Sequence, residues 1–304
     1  MERQYDLVII GAGPAGMAAS IYGSRAGLKT LLLDNGAPGG KLVKTFKISN
    51  YPGVKEIAGV DLAMSMFEQS TSFGTEYAYG NVVKVTKDKH VLLEDGSDIE
   101  AKAVIVATGT KEKVLNILGE KEMIGRGVSF CAVCDGAFFK EKDVVVIGGG
   151  NSALEEALYL TTFARTVTIV IRRDVFRAEE SIQHQVLSHP KIQIVRHHVP
   201  KEILSENGKV SGIVLQDVNT EVEQILPCSG IFPYIGQDPM SDALKELDIL
   251  NDKGYILVNE NMETSIPGIY GAGDIIQKDL RQVVTATNDG AIAAQRAYHY
   301  IQKS

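Results

Sequence analysis

Two of the three cysteines in the chain, Cys131 and Cys134, are separated by two residues and are followed at once by Asp135-Gly136. A cysteine pair at this spacing can close a small disulfide ring, bind a metal ion or lie buried in a core. A zinc site needs about four ligands, usually with a second Cys or His pair at short spacing. The remaining cysteine, Cys228, stands alone in an apolar run, and none of the six histidines lies near the pair. The pattern therefore favours a redox-active dithiol over a metal site.

The length and composition of the chain limit its class. Its 304 residues are enough for two domains, and 44% hydrophobic with 23% charged residues is typical of a soluble protein. The net charge of −7 argues against a general nucleic-acid-binding protein, which needs a basic face. No apolar run reaches the roughly 20 residues of a membrane-spanning helix, and the short N-terminal run ends in a glycine turn rather than a secretory cleavage site. With only three cysteines, we expect a cytoplasmic protein.

A strand, glycine turn and helix at the N-terminus are typical of a dinucleotide site. Residues 5–10 predict a buried strand, Gly11-Ala12-Gly13-Pro14-Ala15-Gly16 a turn, and residues 14–26 a helix. Gly11 permits the tight turn, Gly13 lets the backbone approach a pyrophosphate, and Gly16 lets the helix pack close to the strand. A second strand over residues 30–33 ends at Asp34, whose carboxylate can accept hydrogen bonds from a ribose diol.

The same pattern returns in the middle of the chain. Residues 143–147 predict a strand, Gly148-Gly149-Gly150-Asn151-Ser152-Ala153 a turn, residues 153–163 a helix and residues 166–171 a second strand. This strand runs into Arg172 and Arg173, with Arg177 shortly after, and has no carboxylate at the ribose position. Arginine there favours a 2′-phosphate and thus NADPH over NADH, the alternative being a solvated basic surface. Two such units indicate one tightly held flavin and one diffusing nicotinamide nucleotide.

Short alternating segments after each nucleotide unit predict antiparallel strands, over residues 82–86, 90–94 and 98–102 and again over 192–196, 210–217 and 222–226. The two halves therefore look like copies of one plan. We predict an α/β fold with two Rossmann-like, three-layer ββα nucleotide-binding domains, the second inserted in the first. Residues 1–112 and 240–304 form the predicted FAD-binding domain, and residues 113–239 the NADPH-binding domain that carries the cysteine pair.

The motifs together resemble the low-molecular-weight, bacterial type of thioredoxin reductase over essentially the whole chain. They are Gly11 to Gly16, Pro38-Gly39-Gly40, Ala107-Thr108-Gly109, Cys131-Ala132-Val133-Cys134-Asp135, Gly148 to Ala153, Arg172-Arg173 with Arg177, Gly271-Ala272-Gly273-Asp274 and Arg281-Gln282. The cysteine pair with its Asp-Gly is the most specific of these motifs. The resemblance implies a homodimeric flavoprotein of the cytoplasm that reduces thioredoxin with NADPH, through FAD and a dithiol.

The resemblance also implies which residues surround each cofactor. Around FAD it places Gly11, Gly13, Pro14, Ala15, Gly16, Asp34, Gly39, Gly40, Lys41, Asn50, Val83, Ala107, Thr108, Gly109, Gly273, Asp274, Arg281, Gln282 and Val283. Around NADPH it places Gly148, Gly150, Asn151, Ser152, Ala153, Arg172, Arg173, Arg177, Ile235 and Gly236. Three positions depart from the family pattern: Ile171 replaces a frequent histidine, Lys41 a frequent glutamine and Leu118 a frequent proline. Ile171 removes one candidate donor to the 2′-phosphate, and Lys41 adds a charge near the flavin.

By the same resemblance, Cys134 faces the flavin and Cys131 attacks the disulfide of the partner protein. Asp135 is the candidate acid/base, although a turn or helix-capping role is the alternative for an Asp-Gly pair. The cysteines and the NADPH turn lie in the same inserted segment, so both must reach a flavin held by the other domain. We therefore expect hinges near residues 110–116 and 236–241 that allow one domain to rotate against the other.

Several alternatives share part of this pattern. The same chemistry can serve another acceptor, such as a peroxiredoxin or a glutaredoxin-like protein, or run toward oxygen as a small-molecule dithiol oxidase. A ferredoxin-driven branch of the fold lacks the NADPH motifs, which Gly148 to Ala153 and the paired arginines retain here. A flavin-binding redox sensor is the non-enzymatic alternative. We expect Cys228 to be a buried free thiol, and no metal, membrane or nucleic acid as a partner.

Overall fold

The computed structural model describes residues 4–45, 48 and 50–303, except for the side chains of Lys44, Val133 and Cys134. The chain forms two compact units. The outer unit comprises Met1–Lys111 and Asp238–Ser304, and the inserted unit comprises Glu112–Gln237. These bounds lie one or two residues from the domain limits expected from the sequence.

The elements are numbered in chain order. The strands are β1 (Gln4–Ile10), β2 (Thr30–Asp34), β3 (Glu76–Tyr79), β4 (Val82–Val85), β5 (His90–Leu93), β6 (Asp98–Val106), β7 (Thr110–Glu112), β8 (Asp143–Ile147), β9 (Thr166–Val170), β10 (Ile192–Val195), β11 (His198–Glu206), β12 (Lys209–Asp217), β13 (Glu223–Pro227), β14 (Gly230–Pro233), β15 (Gln237–Pro239) and β16 (Ile269–Gly271). The α-helices are α1 (Pro14–Arg25), α2 (Gly59–Ser72), α3 (Glu120–Met123), α4 (Ala132–Asp135), α5 (Asn151–Leu160), α6 (Glu180–Ser188) and α7 (Val283–Ile301). Short 3₁₀ helices span Gly40–Lys44, Gly136–Phe139, Asp242–Leu244 and Gly273–Ile275.

The outer unit is built on a seven-stranded sheet in the order β3-β2-β1-β6-β5-β4, with β16 also paired to β6. The strands β1, β2, β3, β6 and β16 run parallel. Their C-terminal ends, which carry the candidate residues, therefore lie at one edge of the sheet. β4 and β5 continue the sheet in antiparallel fashion. The run from Leu7 to Ile10 is apolar without alternation because both faces of β1 are covered, with at most 5% exposure.

Helices α1 and α7 of the outer unit pack with their backbones close together. A Cβ atom at Gly290 of α7 would lie 2.0 Å from the carbonyl oxygen of Ala15 in α1, so only glycine fits. Small residues line both helices at this contact, and Ala293, Ala294 and Ala297 are fully or almost fully buried. The contact fixes the first turn of α1, which follows the glycine turn, against the C-terminal part of the outer unit.

The inserted unit has a three-layer core. Its four-stranded parallel sheet has the order β10-β9-β8-β14, and a separate antiparallel sheet has the order β11-β12-β13. Alternate residues of β8 face different clusters: Val144 and Val146 pack with residues of α5, whereas Val145 and Ile147 pack with Ile213 of β12. The parallel sheet thus lies between helices and an antiparallel sheet, and the predicted α/β class with this layer order is confirmed.

One predicted strand of the inserted unit was wrongly assigned. Residues 192–196 were expected in the antiparallel meander, but β10 pairs in parallel with β9, from Ile192 opposite Val167 to Val195 opposite Val170. Helix α6 supplies the crossover that a parallel connection requires. The meander instead begins at β11, just after His197, which has a φ of +59° at the break between the two strands.

None of the helices in the described part of the chain is long and apolar enough to cross a membrane.

Candidate active site

The first glycine turn closes against the backbone of the outer sheet. Gly11 has a φ of +107°, and a Cβ atom there would lie 2.4 Å from the carbonyl oxygen of Ala107 at the end of β6. A Cβ atom at Gly16 would lie 1.8 Å from the carbonyl oxygen of Gly11. Both glycines are therefore required by the fold itself, in the roles that the sequence predicted for a tight turn and for close helix packing.

Gly13 is not required by the fold in this way. It precedes α1 with an ordinary φ of −77°, and a Cβ atom there would meet no other atom within 4 Å. Pro14 occupies the first helical position, and Ala15 is buried behind it. An open backbone position at the positive end of a helix fits an approaching pyrophosphate, as the sequence predicted for Gly13.

Asp34 joins the end of β2 to the glycine turn. Its Oδ2 accepts a hydrogen bond from the Ala12 N–H at 2.6 Å, and its Oδ1 accepts one from the Gly36 N–H at 2.8 Å. Each carboxylate oxygen keeps a second lone pair that can accept from a ribose hydroxyl. Asp34 therefore holds the turn in place in addition to the ribose role that the sequence predicted.

The Pro38-Gly39-Gly40 motif lies beside the same turn. The Gly39 N–H donates to the Ala12 carbonyl oxygen at 2.8 Å, and Gly39 has a φ of +119°. A Cβ atom at Gly40 would lie 3.4 Å from the Cα of Gly13. The motif therefore packs directly against the glycine turn, and its place around a dinucleotide stays a prediction.

Lys41, one of the departures from the family pattern, is tied to two neighbours. Its Nζ donates to Thr110 Oγ1 at 2.5 Å and lies 3.8 Å from Asp274 Oδ2. The nearby Ala107-Thr108-Gly109 segment follows β6, and the Thr108 hydroxyl donates to the Met240 carbonyl oxygen at 2.7 Å. The added positive charge of Lys41 is therefore compensated by Asp274, which reduces its electrostatic effect on a bound ligand.

The start of α7 brings together distant parts of the outer unit. Asn50 Nδ2 donates to Gln282 Oε1 at 3.1 Å, and Gln282 forms a capping box with Thr285 ahead of Val283. Arg281 is held by the chain itself: its guanidinium donates to the carbonyl oxygens of Asp274 and Ile276, each at 3.3 Å, and its centre lies 4.6 Å from the ring centroid of Tyr255. Arg281 therefore fixes the loop before α7.

Val83 lies at the other end of the strand order from β2 and β3. It lies on β4, the edge strand of the sheet, and its side chain is 48% exposed. Its place near FAD stays a prediction.

A buried ion pair that the sequence analysis missed supports the Gly273-Asp274 turn. Asp289 on α7 is 5% exposed, and its Oδ2 accepts the Gly273 N–H at 3.0 Å and pairs with Lys278 Nζ. A buried carboxylate is stable only when paired and hydrogen-bonded. An acidic residue within the apolar stripe of the helix over residues 283–301 was the available signal for this contact.

The second glycine turn, in the inserted unit, repeats the first. Gly148 has a φ of +141°, and a Cβ atom there would lie 2.3 Å from the Tyr234 carbonyl oxygen. Gly150 has a φ of −97°, and a Cβ atom there would meet no other atom within 4 Å. Asn151 begins α5 and exchanges two hydrogen bonds with Glu179, at 2.8 and 3.1 Å. Gly150 therefore has the same open backbone position as Gly13.

The other residues expected around this turn differ in burial. Ser152 is exposed on the first turn of α5, whereas Ala153 is buried. Ile235 and Gly236 follow β14, and Gly236 has a φ of +122°. The Lys113 N–H donates to the Gly236 carbonyl oxygen at 3.0 Å.

The basic loop after β9 is attached to this turn by its backbone. The Arg177 N–H donates to the Gly149 carbonyl oxygen at 2.7 Å, and the side chains of Arg172, Arg173 and Arg177 are all exposed. Asp174, the acidic residue among them, lies 3.5 Å from His197 Nε2 and 4.0 Å from Arg196 Nε. The loop therefore presents three cations, and its carboxylate lies near Arg196 and His197.

Ile171, the second departure from the family pattern, belongs to the core. It is 4% exposed and lies beside Gly149, where a Cβ atom would approach its Cγ2 at 3.1 Å. Ile171 therefore contributes packing below the glycine turn.

The redox turn, residues 129–136, lies in the inserted unit ahead of β8. Cys131 is disulfide-bonded and half-buried. The Asp135 N–H donates to the Cys131 carbonyl oxygen at 3.1 Å and closes α4, a single turn that continues into a 3₁₀ helix. The backbone of Cys134 lies in α4, but its side chain is outside the described part, so its pairing with Cys131 stays a prediction. Asp135 is half-buried at the end of the turn.

Cys228 is a buried free cysteine, and this prediction is confirmed. Burial, and then the charge of Asp143, raise the pKa of its thiol to about 12. The thiolate is the reactive form of cysteine, so Cys228 is inert at neutral pH. Among the residues that the structure describes, no group of three His, Cys, Asp or Glu side chains that could hold a metal ion is found.

A sequence profile described as pyridine nucleotide-disulphide oxidoreductase matches residues 5–290. Two Rossmann-type glycine turns and a disulfide-bonded cysteine in one chain agree with that class. The chain belongs to the family of pyridine nucleotide-disulphide oxidoreductases.

Within this family, the relatives are thioredoxin reductases. The one from Bacillus subtilis is 49% identical over 304 residues, which covers 99% of this chain and 96% of the relative. The one from Listeria monocytogenes is 45% identical, with 99% and 95% covered. The crystal structure of Lactococcus lactis thioredoxin reductase has a TM-score of 0.95 at 46% identity and covers 99% of this chain and 100% of that one. These matches confirm the resemblance to thioredoxin reductases and make the chain an oxidoreductase with a flavin and a pyridine nucleotide as its cofactors.

Proposed function

We propose that the chain is a thioredoxin-disulfide reductase that uses NADPH as reductant and FAD as its flavin. The observation that carries this proposal is the position of disulfide-bonded Cys131 in the same unit as a nucleotide-type turn followed by three exposed arginines. The names of the B. subtilis, L. monocytogenes and L. lactis proteins support it.

The outer unit is the proposed FAD-binding domain. The open position at Gly13 would receive the pyrophosphate, Asp34 would accept from the ribose, and the start of α7 at Gln282 and Val283 would complete the site. When bound in this site, a flavin would supply the link between hydride transfer from a reduced nicotinamide and reduction of a disulfide, which thiols and nicotinamide do not achieve directly.

The inserted unit is the proposed NADPH-binding domain. Gly150 leaves space for the pyrophosphate, and Arg172, Arg173 and Arg177 would bind the 2′-phosphate through charge-assisted hydrogen bonds. The absence of a carboxylate at the end of β9 removes the group that would favour an unphosphorylated ribose. The charge of Asp174 is partly offset by Arg196, whose Nε lies 4.0 Å from its carboxylate.

The dithiol formed by Cys131 and Cys134 would carry out the exchange with thioredoxin. The Cys131 thiolate attacks one sulfur of the thioredoxin disulfide, which forms a mixed disulfide and releases the first thioredoxin thiolate. Cys134 then attacks the Cys131 sulfur, which restores the Cys131–Cys134 disulfide and releases the second thioredoxin thiolate. The Asp135 carboxyl group would take up the proton that Cys134 loses and return it to the thioredoxin product.

We also propose that the protein is a homodimer of the cytoplasm and that residues 110–116 and 236–241 act as hinges. Both the redox turn and the NADPH turn belong to the inserted unit, and each has to reach a flavin held by the outer unit. An engineered crosslink between the units should stop turnover and leave the flavin bound; undiminished turnover would contradict the hinge. Size-exclusion chromatography with light scattering tests the dimer, which predicts twice the mass of one chain.

Anaerobic titration of the purified holoprotein tests the function. NADPH should bleach the flavin absorbance at a far lower half-saturating concentration than NADH does. Oxidised, disulfide-containing thioredoxin should restore the absorbance. If only oxygen or a small-molecule disulfide restored it, the thioredoxin assignment would be wrong.

The open glycines supply matched variants for the two cofactors. Gly13→Ala should fold but release flavin, and Gly150→Ala should keep flavin but lose bleaching by NADPH, because each methyl group enters space that the fold leaves open. Gly16→Ala is the contrasting variant, since its Cβ would collide with the Gly11 carbonyl oxygen and prevent folding of the turn. Flavin retained in full by Gly13→Ala would contradict the assignment of that turn.

A further inference from the structure

Two hydroxyl groups hold the backbone at the start of the redox turn. Ser129 Oγ accepts the Cys131 N–H at 3.1 Å and donates to the Cys131 carbonyl oxygen at 3.3 Å. The Tyr234 hydroxyl accepts the Ala132 N–H at 3.2 Å. The first N–H groups of a helix have no partner within it, and here two of them are satisfied by side chains from outside α4.

Tyr234 connects the redox turn to the second glycine turn. It directly follows β14, its N–H donates to the Ile147 carbonyl oxygen at 2.7 Å, and its own carbonyl oxygen lies against Gly148. Its side chain reaches in the other direction, to Ala132. The backbone that supports the proposed NADPH turn therefore also supports the redox turn, through one residue.

The environment keeps the Tyr234 hydroxyl protonated. Burial raises its pKa far above the ordinary value for tyrosine, and the charge of Glu156 raises it further. Glu112 and Asp135 act in the same direction, and the hydrogen bond from Ala132 acts against them. Tyr234 therefore acts at neutral pH as a hydrogen-bonding group and does not exchange protons with the thiols.

We propose that Tyr234 and Ser129 are positioning residues that hold the redox turn in one backbone geometry in both the disulfide and the dithiol state, an inference that rests on the proposed dithiol function. A helix of one turn has little stability of its own. The disulfide ring constrains this turn while it is closed, and the two hydroxyls supply the constraint after it opens. Their contribution is therefore larger in the dithiol state.

Tyr234→Phe removes the hydroxyl and keeps the ring. In the holoprotein, we expect the equilibrium constant for reduction of the disulfide in glutathione buffers to fall about fivefold, because the variant loses a hydrogen bond that counts most in the dithiol. The kcat with thioredoxin should fall about tenfold, since small displacements of a reacting group cost rate steeply. The kcat/KM for NADPH should not change.

Ser129→Ala should also lower the equilibrium constant for reduction of the disulfide. If Tyr234→Phe loses its flavin, the inference is tested with Ser129→Ala instead. Ser188→Ala is the matched control, because the Ser188 hydroxyl also bonds to a backbone carbonyl of the inserted unit but lies on α6. If the dithiol equilibrium were unchanged in both Tyr234→Phe and Ser129→Ala, the inference would be wrong. The proposed function would still stand if the wild type reduced thioredoxin. If the wild type failed to reduce thioredoxin, the glutathione equilibrium would still decide the role of the two hydroxyls.

Discussion

A carboxyl group on α5 should make the inserted unit less stable as the pH rises. Glu156 lies one turn past the second glycine turn, and its Oε2 atom is buried without a hydrogen-bonding partner in the described part of the chain. Burial, and then the neighbouring charge of Glu155, raise the pKa of Glu156 from 4.5 to about 7. The folded inserted unit therefore binds a proton that the unfolded chain has already released above pH 5.

The sign and size of the effect follow from this pKa. A raised carboxyl pKa contributes stability that is fully present below the unfolded value of 4.5 and is lost as the pH rises through about 7. Each unit of pKa corresponds to about 1.4 kcal/mol, so ionisation of Glu156 costs at most about 3 kcal/mol above pH 8. Glu156→Gln is neutral at every pH and should lack this loss.

Hydrogen exchange of the α5 amides between pH 5 and 8, corrected for the intrinsic rate, measures the opening free energy of this helix. Wild-type protein should open progressively more easily than Glu156→Gln across this range, with the difference levelling off above about pH 8. Glu223→Gln, on exposed β13 of the same unit, is the control and should follow the wild type. A difference between Glu156→Gln and wild type that did not grow with pH would refute the reasoning.

Three further predictions concern other parts of the molecule. In the reduced native protein, iodoacetamide at pH 8 should label the redox cysteines and spare Cys228, because the pKa of the Cys228 thiol is raised to about 12. Peptide mass spectrometry measures the labelling. Rapid modification of Cys228 would contradict its burial. Gly290→Ala should lower the free energy of unfolding of the outer unit by about 3 kcal/mol or more, because its Cβ would lie 2.0 Å from the Ala15 carbonyl oxygen. Thermal unfolding should therefore begin, and release the flavin, at a lower temperature than in the wild type. Arg172→Ala with Arg173→Ala should raise the KM for NADPH about 100-fold or more and leave that for NADH unchanged in steady-state assays; equal changes for both nucleotides would argue against 2′-phosphate recognition.

The local patterns of the sequence were enough to predict the parallel cores and their turns. A short apolar strand, glycines at fixed spacing and a following helix constrain one another within about 30 residues, and β1, α1 and β2 formed where that pattern placed them. The error at β10 has a physical cause: its four residues carry no signal for their partner, and α6 determines that they return in parallel to β9.

The supporting contacts of the candidate site could not be predicted in this way. Tyr234 and Ala132 are far apart in sequence and meet only because β14 lies next to β8, and Asp289 reaches Gly273 only because α7 packs on the outer sheet. Such contacts depend on tertiary placement, which spacing along the chain does not encode. The resemblance to a family supplied the cofactor residues, but it gave no indication of the groups that hold them.

The glycines of the two turns separate what the fold requires from what a ligand requires. Gly11, Gly16 and Gly148 each place a Cβ position within 2.4 Å of a backbone oxygen, so substitution there is costly with or without a bound molecule. Gly13 and Gly150 have ordinary φ values and open space, so the folded chain by itself gives no reason for glycine at either position. A residue type that the fold does not need, at the same place in two separate turns and at the start of a helix in each, is best explained by a group that approaches the backbone from outside. The open positions at Gly13 and Gly150 therefore support a phosphate-bearing ligand at each turn, independently of any relative.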